Sequence, residues 1–279
     1  MVSFSDFSEF PADELLPWLD RRDVDEAALT PHQAAWRRDG VLILPGFIPD
    51  DVTGPYIERR AANKNPAGWL TPTSYMHILE LRDLGLYPPL MAEMKALFGA
   101  DMSLQMCLTG WISSERNWHQ DDYLNPDFLN TWYAAVWVAL DDIHPDSGPF
   151  EYVPGSHHWP LMRGALVKQL LPEDERGRRS EHTGAELWAS ATQDITTPAI
   201  EAEIAARGAE ILPFIAKRGD VLIWHSRLMH RGAPPKVAMM ERRAVILHYS
   251  AAVKRPDMTH ARDQNGEFYA VFDTPLVGG

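Results

Sequence analysis

The apolar residues of this chain come in short runs cut by glycine, proline and aspartate, and no other feature constrains its fold as much. Runs at 75–79, 103–109, 134–140, 150–153, 221–224 and 244–249 are each bounded by turn formers, the pattern of strands in an all-β core. Helices are signalled near the start: Thr30-Pro31 reads as a cap followed by proline at the first helical position, Gly40 closes that helix, and an apolar strand follows at Val41–Leu44. A second helix is expected after Asp50. A chain of 279 residues, 45% hydrophobic, fills one closed barrel or sandwich decorated with helices. We read 1–279 as a single domain with two additions. An acidic arm at about 1–29 lays Phe4, Phe7, Phe10 and Trp18 against the body, and a charged, helix-prone excursion at about 161–212 has the length of a lid.

Charge and cysteine content exclude several functions. A net charge of −13 repels phosphate backbones and anionic lipid surfaces, so neither nucleic acid nor membrane is an expected partner. Cys107 is the only cysteine, which removes disulfide frameworks and multi-cysteine metal sites and suits a reducing compartment. No apolar run reaches the length of a membrane span, and the first residues lack the basic start and apolar stretch of a secretory leader, so a cytoplasmic location is expected.

Among the 11 histidines, His119-Gln120-Asp121 places two metal-binding side chains two positions apart, on one side of an extended segment. His144-Pro145-Asp146 has the same spacing, but it sits in His-Pro-Asp-Ser-Gly-Pro, where turn chemistry accounts for it. Downstream, Gly219-Asp220 turns into the strand 221–224, with His225 and His230 after it. Two histidines and one carboxylate form the facial set that holds ferrous iron with open positions for a bidentate 2-oxo acid and dioxygen. A cation must then meet the far carboxylate of that acid. Arg242 and Arg243 begin the last apolar run, and strand alternation turns only one of them inward.

The order of these segments resembles the phytanoyl-CoA dioxygenase-like group of iron(II)- and 2-oxoglutarate-dependent oxygenases over roughly residues 30–250. The resemblance is carried by Ala34-Ala35-Trp36-Arg37-Arg38-Asp39-Gly40-Val41-Leu42-Ile43-Leu44-Pro45-Gly46-Phe47, by His119-Gln120-Asp121, by Ala135-Val136-Trp137-Val138-Ala139-Leu140, by Ser147-Gly148-Pro149-Phe150-Glu151-Tyr152-Val153-Pro154-Gly155-Ser156-His157, and by Gly219-Asp220 through His230 with Arg242. It implies a mainly β fold, a double-stranded β-helix of the jelly-roll or cupin-like kind, wrapped by helices. It implies His119, Asp121 and His230 as iron ligands, with His225 second to His230. Arg242 would pair with the distal carboxylate of 2-oxoglutarate, and Gln120, Trp137, His77 and Leu108 would line that co-substrate. Where the family often has a serine two residues after the distal histidine, this chain has Gly232. The carboxylate Asp121 sets the chain apart from halogenating variants, which have a small residue there.

The implied activity is oxidation, most simply hydroxylation, of an unactivated C–H bond in a small organic molecule, with dioxygen consumed and succinate and carbon dioxide released. Two other readings compete at this level. A zinc hydrolase can use the same His/Asp/His set to activate water, leaving Arg242 without a role. A non-catalytic jelly roll can bind a sugar or metabolite on its aromatic rim. The 10 tryptophans and acidic balance favour a neutral or cationic, partly apolar substrate.

Overall fold

The computed structural model of the protein describes residues 2–179 and 186–273. In chain order the elements are β1 (Ser8–Glu9), α1 (Pro31–Asp39), β2 (Val41–Leu44), α2 (Asp50–Ala61), α3 (Leu79–Gly85), α4 (Pro88–Phe98), β3 (Met102–Leu108), β4 (Tyr133–Ala139), β5 (Phe150–Tyr152), β6 (Leu161–Met162), α5 (Gly164–Gln169), α6 (Glu173–Arg176), α7 (Trp188–Ala191), α8 (Gln193–Ala206), β7 (Leu212–Phe214), β8 (Val221–His225), β9 (His230–Gly232), β10 (Ala244–Ala251), β11 (Thr259–Arg262) and β12 (Phe268–Val271), with 3-10 turns between several of them. A seven-stranded sheet runs in the order β11-β12-β3-β10-β4-β8-β2, and a three-stranded sheet, β7-β5-β9, faces it. This is the jelly-roll architecture, a mostly β core with helices outside.

Strand parity sorts the apolar runs onto two covered faces, which explains why they read as continuous rather than alternating. Val136, Val138, Val221, Ile223, Val245 and Leu247 turn outward to helices α1 to α4. Their neighbours Ala135, Trp137, Ala139, Leu222, Trp224 and Ala244 turn inward, where they meet Phe150, Tyr152 and Phe214 of the small sheet. Every residue of β4 is buried. A one-residue slip of β4 would carry Trp137 to the helix side, so its register is strongly specified.

Helix α1 starts as a capping box: the Thr30 hydroxyl accepts from the Gln33 N–H, and the Gln33 side chain accepts from the Thr30 N–H. It ends at Gly40, left-handed at φ 71°, whose N–H returns to Trp36 O at 2.8 Å. The run at 75–79 is not a strand. Ser74–Met76 is a 3-10 turn and α3 begins at Leu79. Tyr75 is apolar because it is buried beneath the sheet, its hydroxyl donating to Gln105 O and Ala270 O, and a short apolar run does not distinguish that from pairing.

The arm and the excursion share a separate apolar cluster, in which Phe4 and Phe7 pack with Trp118, Tyr123, Met162, Val167, Leu171, Trp188, Ile200 and Ile204. β1 of the arm pairs with β6 at the start of the excursion. Part of the excursion, 180–185, lies outside the described residues.

A Cβ at Gly40 would stand 2.5 Å from His157 Nδ1 in a backbone conformation that L side chains avoid. Gly40→Ala is therefore expected to destabilise the protein by at least about 2 kcal/mol, combining left-handed strain with overpacking. Urea unfolding measures this, and a loss under about 0.5 kcal/mol would contradict it.

Candidate metal centre

The HQD segment is sewn to the turn between β8 and β9 by backbone hydrogen bonds. His119 and His230 exchange N–H···O bonds at 3.0 Å in both directions, and Asp121 N donates to Ser226 O at 2.8 Å. Residues far apart in the chain thereby become neighbours, with ring centroids 4.3 Å apart. Each histidine commits its Nδ1 to a carbonyl two residues back: His119 to Asn117 O at 2.6 Å and His230 to Leu228 O at 2.9 Å. Both Nε2 atoms are left facing Asp121 Oδ1, each at 3.5 Å. The other carboxylate oxygen, Oδ2, accepts from Trp224 Nε1 at 2.8 Å. Such outer bonds fix tautomers and aim ligands. The ligand atoms of His119, Asp121 and His230 lie within 4.8 Å of one another, all three residues being buried.

The electrostatics suit a dication. Burial, and then the neighbouring His230, push His119 down to about 4. Burial alone would raise Asp121, but the two histidines that face it outweigh that effect and hold the carboxyl well below its ordinary range. At neutral pH the site offers an unprotonated imidazole on His119 and an ionised carboxylate on Asp121, the forms that bind metal.

The competing histidine is occupied. His225 Nε2 donates to Asp20 Oδ2 at 2.9 Å, and its Nδ1 accepts from Arg227 N at 3.0 Å. Asp20 comes from the arm. Its carboxyl is also bonded by Thr131 Oγ1, and Thr131 N donates to Asp122 beside the ligand Asp121.

Of the paired arginines, Arg242 points inward and is 5% exposed. Its Nη1 bonds Gly148 O, its Nε has no partner, and no carboxylate pairs with it among the described residues. Burial pushes it down to about 10. Arg243 pairs with Glu241 at 2.8 Å and lies over Trp111. Trp137 is wholly buried with Nε1 unbonded, edge-on to Phe214 at 5.5 Å. A buried unpaired guanidinium costs several kcal/mol unless an anion meets it.

Three expected lining residues fare differently. Gln120 is engaged at both ends of its amide, Nε2 donating to Pro160 O at 3.1 Å and Oε1 accepting from Met162 N at 2.8 Å, so it braces β6 instead of facing a co-substrate. Leu108 sits opposite Ile246 on the interior face but is 42% exposed, and His77 is an exposed residue after the Ser74–Met76 turn. At Gly232 an added Cβ would stand 3.1 Å from Ser114 Oγ, so that hydroxyl would have to give by a few tenths of an ångström. Trp224 and the carbonyl of Ser226, which hold Asp121, were not singled out by sequence. A tryptophan at a strand end carries no mark that separates it from core.

The phytanoyl-CoA dioxygenase (PhyH) family model matches residues 78–243, more than half of the chain. The chain belongs to that family. It is a non-haem oxygenase that depends on iron(II) and 2-oxoglutarate. No protein of curated function matches it by sequence. Among solved structures, EctD from S. alaskensis with bound iron is 17% identical, covering 89% of this chain and 84% of its own at a TM-score of 0.59. The epimerase SnoN in complex with Fe3+, alpha ketoglutarate and nogalamycin RO is 21% identical, covering 82% and 85% at a TM-score of 0.54. HygX from Streptomyces hygroscopicus, with nickel and 2-oxoglutarate bound, is 19% identical, covering 81% and 88% at a TM-score of 0.52. These likenesses support the fold.

Buried histidines make metal-free stability depend on pH. Burial lowers His119 and His248 to about 4 and His157 well below the ordinary 6.5. The unfolded chain therefore binds more protons between those values, and stability falls as pH drops through that window. Asp122, raised to about 6 by burial, titrates in the opposite sense, but one carboxyl offsets only part of three rings. The urea midpoint of the metal-free protein should fall steadily from about pH 7 to about pH 4.5; a rising midpoint would refute this balance.

Proposed function

We propose that this oxygenase hydroxylates an unactivated C–H bond of a small, neutral or cationic, partly apolar molecule in the cytoplasm. His119, Asp121 and His230 would hold iron(II), and Arg242 and Trp137 would take the distal carboxylate of 2-oxoglutarate. The observation that carries this reading is the buried Arg242 without an anion, which a hydrolytic zinc site leaves unexplained. When bound, iron(II) and 2-oxoglutarate together activate dioxygen, one oxygen atom entering the released succinate and the other the substrate.

The chain's own residues prepare that chemistry. Trp224 keeps Asp121 Oδ2 occupied, so only Oδ1 is presented inward. Phe150 stacks on His230 with centroids 5.2 Å apart and excludes water from that face of the ring. Arg242 orients the co-substrate by charge-assisted bonds. Epimerase and carbocyclase are the names of two structural neighbours, so the fold itself does not dictate hydroxylation. Asp121, a carboxylate that fills one ligand position, favours it over halogenation.

We also assign the excursion 161–212 as a cover on the Tyr123 side of the centre. Tyr123 follows the ligands closely and meets Trp188 of the excursion edge-on at 5.8 Å.

Anaerobic addition of iron(II) and then 2-oxoglutarate should give a weak visible charge-transfer band. His230→Ala should lose it and His225→Ala, with folding checked, should keep it; no band at full iron loading would end the reading. Arg242→Ala should weaken 2-oxoglutarate binding by about 30-fold to several thousand-fold, the equivalent of about 2–5 kcal/mol for a buried charged pair, while Arg243→Ala changes it little. Succinate release across a metabolite library identifies the substrate. With that substrate, iron and 2-oxoglutarate bound, protease nicking within 161–212 should slow, and an unchanged rate would remove the cover.

A further inference from the structure

A third buried donor lies on the interior face, outside every role given above. His248 is 4% exposed and its Nε2 has no hydrogen-bond partner. Its other nitrogen, Nδ1, lies 2.6 Å from the Tyr133 hydroxyl. The bond to Tyr133 sets which nitrogen carries the proton. Arg255 is clamped by both oxygens of Asp257 and donates to Gln105 Oε1, which also accepts from Ser250 Oγ. With Oε1 so used, Gln105 is committed to Arg255 and Ser250, and the buried phenol hydrogen of Tyr133 has His248 Nδ1 as its acceptor. Tyr133 then gives its own proton to His248 Nδ1, and the ring proton stays on Nε2. Burial keeps the phenol protonated and pushes the imidazole down to about 4, so the ring is a neutral, single-proton donor.

The register of β10 says what that donor faces. Arg242 precedes the strand, and Ala244, Ile246 and His248 follow along its interior face. Ile246 pairs with Trp137, and His248 pairs with Ala135, which pairs in turn with Trp224, the residue holding Asp121. The ring of His248 is edge-on to Trp224 at 6.1 Å and feels the charge of Asp121. Successive interior residues advance about 7 Å along a strand, so His248 stands three such steps from Arg242 and one from Ile246, and a diacid held at the reach of the Arg242 side chain and lying past Trp137 points its other end toward the row of His248.

We propose that His248 is a binding residue of this site, its Nε2–H donating to the α-keto carboxylate of the 2-oxo acid. This rests on the iron and 2-oxoglutarate reading above. The orphaned donors then divide the co-substrate between them, with Arg242 and Trp137 at one end and His248 at the other. Tyr133 acts as the positioning residue that fixes the tautomer.

The test uses the full iron(II)-loaded chain without oxygen, titrated with 2-oxoglutarate and with 2-oxobutyrate, which lacks the distal carboxylate. His248→Gln places an amide nitrogen at the reach of Nε2, whereas His248→Asn places one only at the reach of Nδ1, beside Tyr133. The Asn variant should bind both keto acids about ten- to a hundredfold more weakly, and the Gln variant within about threefold of the unaltered chain. Arg242→Ala should lose affinity for 2-oxoglutarate alone. The reverse order, with Asn retaining affinity and Gln losing it, would make His248 a structural partner of Tyr133 and overturn the proposal, as would no difference between the two variants. Proton–nitrogen correlation NMR on the metal-free chain is the second measurement. A proton on Nε2 of His248 is expected, and a proton on Nδ1 overturns the proposal whatever the iron does. If the unaltered chain binds neither keto acid, this proposal and the functional reading fall together; if it binds both and the variants match it, only this one falls.

Discussion

One rung of backbone pairing, the two-way hydrogen bond between His119 and His230, is what the centre depends on. The two residues are more than a hundred positions apart, and nothing local to either draws their side chains together. The rung does so by making them opposite residues of a minimal antiparallel ladder, with side chains on one face. Each ring is then aimed by a carbonyl of its own segment, and Asp121 is carried into place because its N–H is held by Ser226, within the turn that leads to His230. The ligand geometry is therefore a property of strand placement. Side chains supply the chemistry, and the backbone supplies the distances.

Parity and punctuation made much of this legible from sequence. The strands 103–109, 134–140, 221–224 and 244–249 correspond to β3, β4, β8 and β10, and the helix from Pro31 to Gly40 closes where its cap and its glycine say it should. The three ligand candidates meet, and Arg242 rather than Arg243 turns inward. What stayed hidden has physical reasons. A strand as short and polar as His230–Gly232 has no apolar signature. Tyr75 imitates a strand residue because burial, not pairing, chose it. The use of Gln120 was invisible because an amide beside two ligands looks the same whether it faces a ligand or braces Met162. His248 was on the interior face by simple alternation from Arg242, yet its donor becomes distinctive only when its partners are counted.

That count separates two kinds of buried polar group. His225, Asp20, Gln120 and Arg255 are as deeply placed as the centre, and each spends its hydrogen-bonding capacity inside the protein. Arg242, Trp137 and His248 do not, and neither do some groups elsewhere, such as Tyr56, Trp111 and Arg227. Each open donor destabilises the empty fold, since an unpaired buried polar group loses its water and gains nothing. The fold tolerates them because the surrounding strands are covered by apolar packing on both faces. Sites of this kind are less stable without ligand than a fully satisfied core of the same size would be.

The limits of the family match, 78 and 243, fall at awkward places in the three-dimensional structure. β10, which lies between β3 and β4 and is paired along its length to both, begins one residue later. On the other side, β2 and the Asp20 that accepts from His225 lie before residue 78. The recognisable stretch is thus not a self-contained module. Cut out alone, it would be an open sheet split down its middle, with two bare edges where a single strand had joined them and a buried histidine stripped of its hydrogen-bond acceptor. Heredity has marked this protein along a line that its hydrogen bonds do not follow, and any attempt to graft or shuffle the centre has to carry both flanks with it.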